Sequence, residues 1–302
     1  ALSAALGDIA GGWPLYKVTE ALSDFADAAA GAAANFGLRR AAERGAFRLR
    51  HPDDPQRDSG FIVIGMGKLG ARELNYSSDI DLICLFDNEC IDTDDVDELQ
   101  SHVTRMTRTL ARILDERTVD GYVFRIDLRL RPDPGSTPLA ISVLAAETYY
   151  ESLGQNWERA AMIKAKAAAG DIEAGERFLY DLRPFIWRKH LDYASIADVH
   201  AIKRQIHAHK GHGAIAIEGH NVKLGRGGIR EIEFFVQTQQ LIFGGRVPEL
   251  RGRGTLSMLQ ALADHGSIED DAADTLTRCY CFLRRVEHAI QMIGDEQTHK
   301  LP

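Results

Sequence analysis

The apolar and polar positions of the chain predict a small sheet followed by helices. Residues 61–64 and 82–86 are apolar runs with the length of buried strands, joined by a glycine turn and a short linking segment. Residues from about 16 to 43 have helical spacing and predict two leading helices. Beyond residue 135, helical patterns dominate, at 145–152, 156–169, 255–264 and 270–293. A further helix is predicted to follow a second glycine loop and to end at about residue 243. The fold class is therefore predicted to be α+β, ending in a helical bundle.

Two carboxylates stand at the beginning of the second predicted strand. Asp79 and Asp81 are two residues apart, so their side chains point to the same face of a strand. Two acids on one face repel each other unless a cation lies between them. Magnesium or manganese is the usual cation, held by one or two carboxylates and phosphate oxygens. The pair predicts a metal-dependent phosphoryl or nucleotidyl transfer site.

A third segment, 122–132, alternates polar and apolar residues and predicts another strand. One face would carry Arg125, Asp127, Arg129 and Arg131, that is, one acid among three arginines. Arginine's planar fork matches phosphate geometry, so Asp127 becomes a candidate third metal ligand flanked by phosphate binders. The alternative is an edge strand with a solvated, self-neutralising face, which the nearby aspartate pair makes less favourable.

The same region offers a rival interpretation. Gly65–Gly70 satisfies the G-x-G-x-x-G pattern after a strand, and Asp87 lies near the position of a ribose-binding acid, as in a Rossmann domain. However, 67–78 has room only for a short helix, whereas a parallel crossover unit needs about thirty residues. The Rossmann hypothesis also leaves the aspartates unexplained. Gly67 is better interpreted as allowing close approach of the backbone to a phosphate.

A second glycine loop precedes the helix that is predicted to run to about residue 243. It carries Lys223 and Arg226, and Arg230, Glu231 and Glu233 lie in the first turns of that helix. Free backbone N–H groups at a helix start, together with cations, form an anion site. The loop therefore predicts a second wall of a phosphate-binding cleft, with the two glutamates as possible cleft acids.

Composition favours a globular protein and argues against a membrane-spanning chain or a general nucleic-acid binder. The 302 residues are 45% hydrophobic and 26% charged, which is globular and long enough for two domains. No run of eighteen apolar residues exists, so we expect no membrane span. The net charge of −8 disfavours a general nucleic-acid binder. Four cysteines without zinc-type spacing suit a reducing cytoplasm. The chain does not begin with Met, and we expect it to belong to a longer protein.

Six motifs make the chain recognisable. From about residue 60 to its end it resembles the bacterial bifunctional glutamine synthetase adenylyltransferase/deadenylase family. The resemblance rests on Gly65-Met-Gly-Lys-Leu-Gly70, Asn75-Tyr-Ser-Ser-Asp-Ile-Asp-Leu82, Arg129-Leu-Arg-Pro132, Gln155-Asn-Trp-Glu-Arg159, Gly227-Gly-Ile-Arg-Glu-Ile-Glu-Phe234 and the ending Asp295-Glu-Gln-Thr298 with Leu301-Pro302. One departure is Ala71, where the family pattern leads us to expect glycine.

The resemblance implies a fold and a domain organisation. The family has two related halves, each a nucleotidyltransferase domain of DNA polymerase β type, with a mixed sheet, followed by an all-α helical bundle. For this chain it implies leading helices over 1–58, the nucleotidyltransferase-like catalytic domain over 59–215 and the bundle over 216–302. The Arg230-Glu231 pair and the Asp-Glu-Gln-Thr ending resemble the N-terminal half, which removes AMP from a tyrosine of glutamine synthetase. The C-terminal half attaches AMP from ATP.

The resemblance also implies roles for particular residues. The three aspartates, Asp79, Asp81 and Asp127, would bind Mg²⁺, with Mn²⁺ possible. The remaining candidates would bind nucleotide or phosphate: Gly67, Lys68, Ser78, Arg129, Arg131, Lys164, Lys166, Lys223 and Arg230.

The expected reaction is phosphorolysis, in which inorganic phosphate attacks the AMP–tyrosine bond and releases ADP and free tyrosine, activating the synthetase in nitrogen regulation. The alternatives are ATP-dependent adenylylation by the same fold, or a Rossmann-type regulatory domain. Expected partners are adenylylated glutamine synthetase, AMP, ADP, ATP, phosphate and, in the full-length protein, the PII signal protein. We expect a cytoplasmic protein without nucleic-acid or membrane partners.

Overall fold

A five-stranded mixed sheet forms the centre of the computed structural model, which describes residues 2–189, 218–294 and 298–302. The strand order is β3-β2-β1-β5, and β4 pairs with β2 farther along that strand. Strands β3 and β4 are parallel to β2, whereas β2 and β5 are antiparallel to β1. The strands are β1 Phe61–Gly65, β2 Ile80–Phe86, β3 Ile126–Asp127, β4 Ala140–Ser142 and β5 Lys166–Gly170.

Helices precede the sheet, connect its strands and follow it. Two helices precede β1, but the stretch from about 16 to 43 that predicted both forms a single helix, Leu15–Glu43, and the other helix, Leu2–Ile9, lies before it. Before the final segment the helices are α1 Leu2–Ile9, α2 Leu15–Glu43, α3 Gly67–Gly70, α4 Leu99–Asp115, α5 Val143–Ser152, α6 Asn156–Met162, α7 Ile172–Asp181 and α8 Arg183–Ile186. The final segment contains α9 Ile229–Phe243, a 3-10 turn Pro248–Leu250, α10 Thr255–Asp264 and α11 Asp270–Gly294.

The antiparallel pairing of β1 and β2 excludes the Rossmann alternative. A Rossmann unit joins two parallel strands by a helix that crosses over the sheet. Here Gly65 is opposite Leu82, and the intervening α3 has only four residues. The G-x-G-x-x-G match therefore belongs to a tight connection between two antiparallel strands. The alternative of a Rossmann domain was wrong.

The sheet is buried on both faces, which explains why its strands are continuous apolar runs. Side chains of β1 alternate, so Phe61 and Val63 pack with α2 and α4 on one face. Ile62 and Ile64 point to the opposite face and join a core that includes Phe178 of α7. The buried alanine stripe of α2 lets that helix lie close to the sheet.

The predicted helix over 156–169 was wrong in its second half. Helix α6 ends at Met162, and residues 166–170 form β5, paired with β1. Local alanine content favours a helix, but pairing with a fully buried strand decides the structure. Gly70 permits this arrangement, because a Cβ there would lie 1.7 Å from the Lys164 carbonyl oxygen.

The helices after residue 229 surround a third core. Ile232 of α9, Leu259 of α10 and Tyr280 of α11 are buried in it, and Leu15 at the start of α2 joins them. The predicted domain boundary at 215/216 lies outside the described residues, so the domain limits remain predictions. Within the described segments, no helix combines the length and the apolar character needed to cross a membrane.

Candidate active site

A cavity of about 580 Å³ opens between the start of β2 and the helices α6 and α9. One wall comes from the glycine turn and β2, and the other from α9 and the loop before it. It brings together many of the residues predicted from the sequence, namely Gly67, Lys68, Ser78, Asp79, Asp81, Lys164, Lys223, Arg230 and Glu233. Its remaining lining is largely apolar and amide-bearing, from Leu130, Trp157, Ala160, Ala161, Phe234, Gln237, Thr238 and Leu241.

Two carboxylates, Asp79 and Asp81, line the β2 side of this cavity, and a third, Asp127, lies beside Asp81. Asp81 lies in β2 directly opposite Asp127 of the parallel strand β3, and Asp79 precedes β2 by one residue. Burial, followed by the charges of Asp127 and Asp79, raises the pKa of Asp81 to about 6. No salt bridge from the described residues reaches Asp81. Strands β2 and β3 therefore bring the candidate ligands Asp81 and Asp127 together, and burial with the two neighbouring acids outweighs the attraction of Lys223 and Arg129 for the Asp81 carboxylate.

Arginines hold the two outer carboxylates. Arg125 Nε lies 2.6 Å from Asp79 Oδ1, and the Arg129 guanidinium binds both oxygens of Asp127 at 2.5 to 3.0 Å. The hydrogen bonds from Arg129 hold the pKa of Asp127 below its usual range. In the described segments, no three His, Cys, Asp or Glu side chains form a ready set of metal ligands. The carboxylates nevertheless fit magnesium, which needs only one or two of them beside phosphate oxygens.

The glycine turn keeps its backbone close to the Asp81 carboxylate. Gly67 has φ +52°, and a Cβ at this position would lie 3.2 Å from Asp81 Oδ2. A larger residue would be strained and would narrow the entrance to the carboxylate. Ser78, at the other end of the turn, donates to Asn75 Oδ1 at 2.6 Å. The turn is therefore fixed in a form that leaves Asp81 open to a ligand.

Two of the predicted cations are buried in ion pairs. Lys68 Nζ lies 3.2 Å from both carboxylate oxygens of Glu287 on α11, and burial, followed by the Arg284 charge, lowers its pKa to about 8. Lys164 Nζ lies 2.8 Å from Glu73 and 3.6 Å from Glu233. These lysines line the cavity, but their charges are already matched by neighbouring carboxylates.

Lys223 and Arg230 are the cations better placed for an incoming anion. The Arg230 side chain is 46% exposed and lies 3.6 Å from Glu233. Lys223 Nζ lies 3.5 Å from His299 Nε2. Both cations line the cavity together with Asp79 and Asp81. The glycine loop and the first turn of α9 therefore bring positive charge into the cavity that contains the acids.

Other predicted residues lie elsewhere. The segment 122–132 is a strand only at Ile126–Asp127, and the chain turns soon after Leu128. Arg131 holds this turn: its buried guanidinium donates to the carbonyl oxygens of Leu128, Pro134, Thr137 and Pro138. Lys166 pairs with Asp27 of α2 and lines a separate cavity of about 1020 Å³. The structure does not bring Arg131 or Lys166 into the candidate active site.

Two further candidates lie at its margin. Arg129 is bound to Asp127 while its side chain is 84% exposed. Glu231 accepts a hydrogen bond from Gly227 N in the glycine loop, and it is not part of the cavity lining. Glu231 therefore shapes the loop, whereas Glu233, two residues later, faces the cavity.

Sequence reasoning missed three residues that organise the site. Arg125 was grouped with the arginines expected to bind phosphate, but it pairs with the candidate ligand Asp79. Glu73 and Glu287 hold the two buried lysines and come from a loop after α3 and from α11. Only their positions in space reveal these two acids, because they are far from the lysines in sequence.

Comparison with known proteins places the chain in a family. Residues 1–181 match the family model for glutamate-ammonia ligase adenylyltransferase, and residues 200–302 match that for GlnD PII-uridylyltransferase. Curated relatives named bifunctional glutamine synthetase adenylyltransferase/adenylyl-removing enzyme are similar over almost the whole chain. Those from Mesorhizobium japonicum, Brucella melitensis and Rhizobium meliloti are 64%, 62% and 61% identical over 301, 307 and 302 residues.

The alignments cover 99% to 100% of this chain but only 30% to 31% of each of those relatives. The chain therefore spans about a third of the length of the curated relatives it matches. The first family model alone matches more than half of the chain, and it confirms the resemblance carried by the sequence motifs. The chain belongs to the glutamate-ammonia ligase adenylyltransferase family.

Proposed function

We propose that this chain removes AMP from an adenylylated tyrosine of glutamine synthetase by phosphorolysis. The observation that carries the proposal is the cavity that Asp79, Asp81, Lys223 and Arg230 line together, with Asp127 paired beside Asp81 on the neighbouring strand. Acids suited to a divalent cation and basic groups suited to phosphates are what a nucleotidyl transfer site requires. The mixed sheet, with its acids at the start of β2 and on β3, supports a nucleotidyltransferase fold of DNA polymerase β type followed by an α-helical bundle.

The reaction brings two anions together. An oxygen of inorganic phosphate would attack the phosphorus of the AMP–tyrosine linkage, the phosphorus–phenolate bond would break, and ADP would leave with the free tyrosine, whose oxygen takes a proton. Lys223 and Arg230 would hold and orient the two phosphate groups, which repel each other. Mg²⁺ or Mn²⁺, bound by Asp79, Asp81 and Asp127, would offset the charge growing on the leaving phenolate and the phosphate oxygens.

The names of the relatives and of the family models support the proposed substrate and the proposed regulatory partner. Their printed names join adenylyl transfer and adenylyl removal on glutamine synthetase, and the Arg230-Glu231 pair favours removal for this part of the chain. The second candidate function, adenylylation from ATP, is supported by the adenylyltransferase name of the first family model. The match of residues 200–302 to a PII-uridylyltransferase model supports a PII protein as regulatory partner.

The test is phosphate-dependent formation of ADP. Adenylylated glutamine synthetase is incubated with the chain and magnesium, with and without inorganic phosphate, and ADP, AMP and the tyrosine modification are measured. Release of AMP without phosphate would contradict phosphorolysis. Transfer of label from ATP to unmodified synthetase would favour adenylylation instead.

A variant pair tests the carboxylates in the same assay. Asp81→Asn should slow ADP formation about 10²–10⁴-fold, or roughly 3–5 kcal/mol, by analogy with the loss of other charge-stabilising groups. Asp97→Asn, the same change at an exposed site before α4, should leave the rate unchanged. Full activity of the Asp81 variant would remove the proposed metal role.

A further inference from the structure

The cavity changes character along helix α9. Two rows of side chains line it, four residues apart within each row: Arg230, Phe234 and Thr238 in one, and Glu233, Gln237 and Leu241 in the other. The first member of each row is charged, and the later members are apolar or carry neutral polar groups. About 12 Å of helical rise separates Arg230 from Thr238, so a sugar can lie between a phosphate at one end and a base at the other.

Helix α6 supplies an apolar wall of the cavity, and the hydrogen bond from Gln237 to the Ala160 carbonyl places this wall beside the middle of α9. Trp157, Ala160 and Ala161 line the cavity from α6, and Trp157 is 41% exposed. Phe234 and Leu241 approach it from α9. A half-exposed indole beside small residues is suited to a flat ring, because aromatic faces stack at low conformational cost.

Two neutral polar groups in this apolar part of the cavity lack partners. The Thr238 Oγ1 atom is buried and has no hydrogen bond within the described part of the chain. Gln237 Nε2 donates to the Ala160 carbonyl at 3.2 Å, which fixes the orientation of the amide. Its Oε1 receives no hydrogen bond from any residue in 2–189, 218–294 or 298–302. A buried hydroxyl without a partner is costly, and it points to a group that a ligand completes.

We propose that this end of the cavity binds the nucleobase of the AMP group and that Gln237 and Thr238 select adenine. The inference rests on the proposed function and adds base selection to it. Gln237 Oε1 can only accept, so it suits the 6-amino group of adenine and is repelled by the 6-oxo group of hypoxanthine. The Thr238 hydroxyl can donate to a ring nitrogen beside that amino group. Trp157 supplies a face for stacking.

The sharpest probe is the pair ADP and IDP, which differ at the 6-position of the base and the neighbouring ring nitrogen. Their binding to the 302-residue chain is measured by calorimetry with magnesium. The chain should bind ADP about 10-fold more tightly than IDP. With ADP, Gln237 Oε1 gains a hydrogen bond from the 6-amino group, whereas with IDP it meets the 6-oxo group, and each difference changes the affinity severalfold. Gln237→Met, which keeps the length of the side chain but removes the acceptor, should bring the two affinities within about 2-fold.

Two variants of Thr238 distinguish a role of its hydroxyl in binding from a role of its side chain in packing. Thr238→Val removes the hydroxyl and keeps the shape, so ADP should bind about 5-fold more weakly while Tm stays the same or rises. Thr238→Ser, which restores the hydroxyl, should recover most of the ADP affinity. A Thr238→Val chain that binds ADP as well as the parent chain, or one with a lower Tm and unchanged binding, would overturn the role of Thr238.

The outcomes distinguish this inference from the proposed function. Equal binding of ADP and IDP by the parent chain, or binding of neither, overturns base selection. Phosphate-dependent ADP formation together with equal binding leaves phosphorolysis intact and removes only base selection. A clear preference for ADP without phosphate-dependent ADP formation supports the base site and contradicts phosphorolysis.

Discussion

Replacing Glu233 with glutamine tests the buried ion cluster behind the candidate active site. The Glu233 side chain is 4% exposed, and Lys164 Nζ lies 3.6 Å from its Oε1 while Arg230 lies 3.6 Å from its Oε2. Its Oε1 has no hydrogen bond within the described residues. Charge attraction, not hydrogen bonding, therefore compensates for the burial of this carboxylate.

The size of the effect follows from the pKa of Glu233. Burial, the largest single influence, raises this pKa, but Lys164, Lys68, Arg230 and Arg284 together lower it from 4.5 to about 2. A carboxyl shifted by that amount contributes roughly 3 kcal/mol to the free energy of unfolding. Because the pKa is lowered on folding, this contribution is complete above pH 4.5 and is lost as the pH falls toward 2.

Urea unfolding of the parent chain and Glu233→Gln is measured at several pH values. We expect the variant to be about 2–3 kcal/mol less stable at pH 7, and the gap to narrow below pH 4.5 to about 1 kcal/mol near pH 2.5. Glu249→Gln is the matched control: Glu249 is exposed in the 3-10 turn Pro248–Leu250, so the cost should stay within about 0.5 kcal/mol. Equal stability of parent and Glu233→Gln at pH 7, or a gap that is unchanged at pH 2.5, would refute the reasoning.

Three further predictions concern stability. Without magnesium, Asp81→Asn should be about 1–2 kcal/mol more stable than the parent chain at pH 7 in urea unfolding, because burial and two like charges raise the Asp81 pKa to about 6. Gly70→Ala should lower the free energy of unfolding in urea by about 3 kcal/mol or more, since its Cβ would lie 1.7 Å from the Lys164 carbonyl oxygen. Arg131→Lys should cost about 2 kcal/mol in thermal unfolding and leave the KM for phosphate unchanged, because Arg131 serves carbonyl oxygens.

Local pattern was sufficient for the acidic half of the site. The spacing of Asp79 and Asp81 predicted that both acids lie at one end of a strand, and the alternation around Asp127 predicted another strand, which forms only at Ile126–Asp127. Parallel pairing of β2 with β3 then places Asp127 opposite Asp81. Backbone geometry makes the side chains of a strand alternate between its two faces. Once a strand is recognised, the face of each residue in it can therefore be predicted from sequence.

The basic half of the site was predicted less well, for a physical reason. Lys164 and Lys166 were assigned to one helix, yet Lys166 begins β5 and pairs with Asp27 of α2. The choice between helix and strand at these alanines depends on the edge that β1 offers, and on the space that Gly70 leaves, neither of which is a property of the segment itself. Whether a lysine can bind phosphate therefore depends on carboxylates that are far from it in sequence, as Asp27 is from Lys166.

The paired lysines limit which groups can recognise phosphate. Glu73 accepts from Lys164 and also from Thr255 N at 2.6 Å, at the first residue of α10, so the lysine is part of the contact that joins this helix to the sheet. Lys68 is likewise held by Glu287 of α11. An anion that took either lysine would leave a buried carboxylate without its partner, which is strongly unfavourable. The phosphate contacts should therefore fall to Lys223 and Arg230, while the buried pairs fix the position of the walls around them.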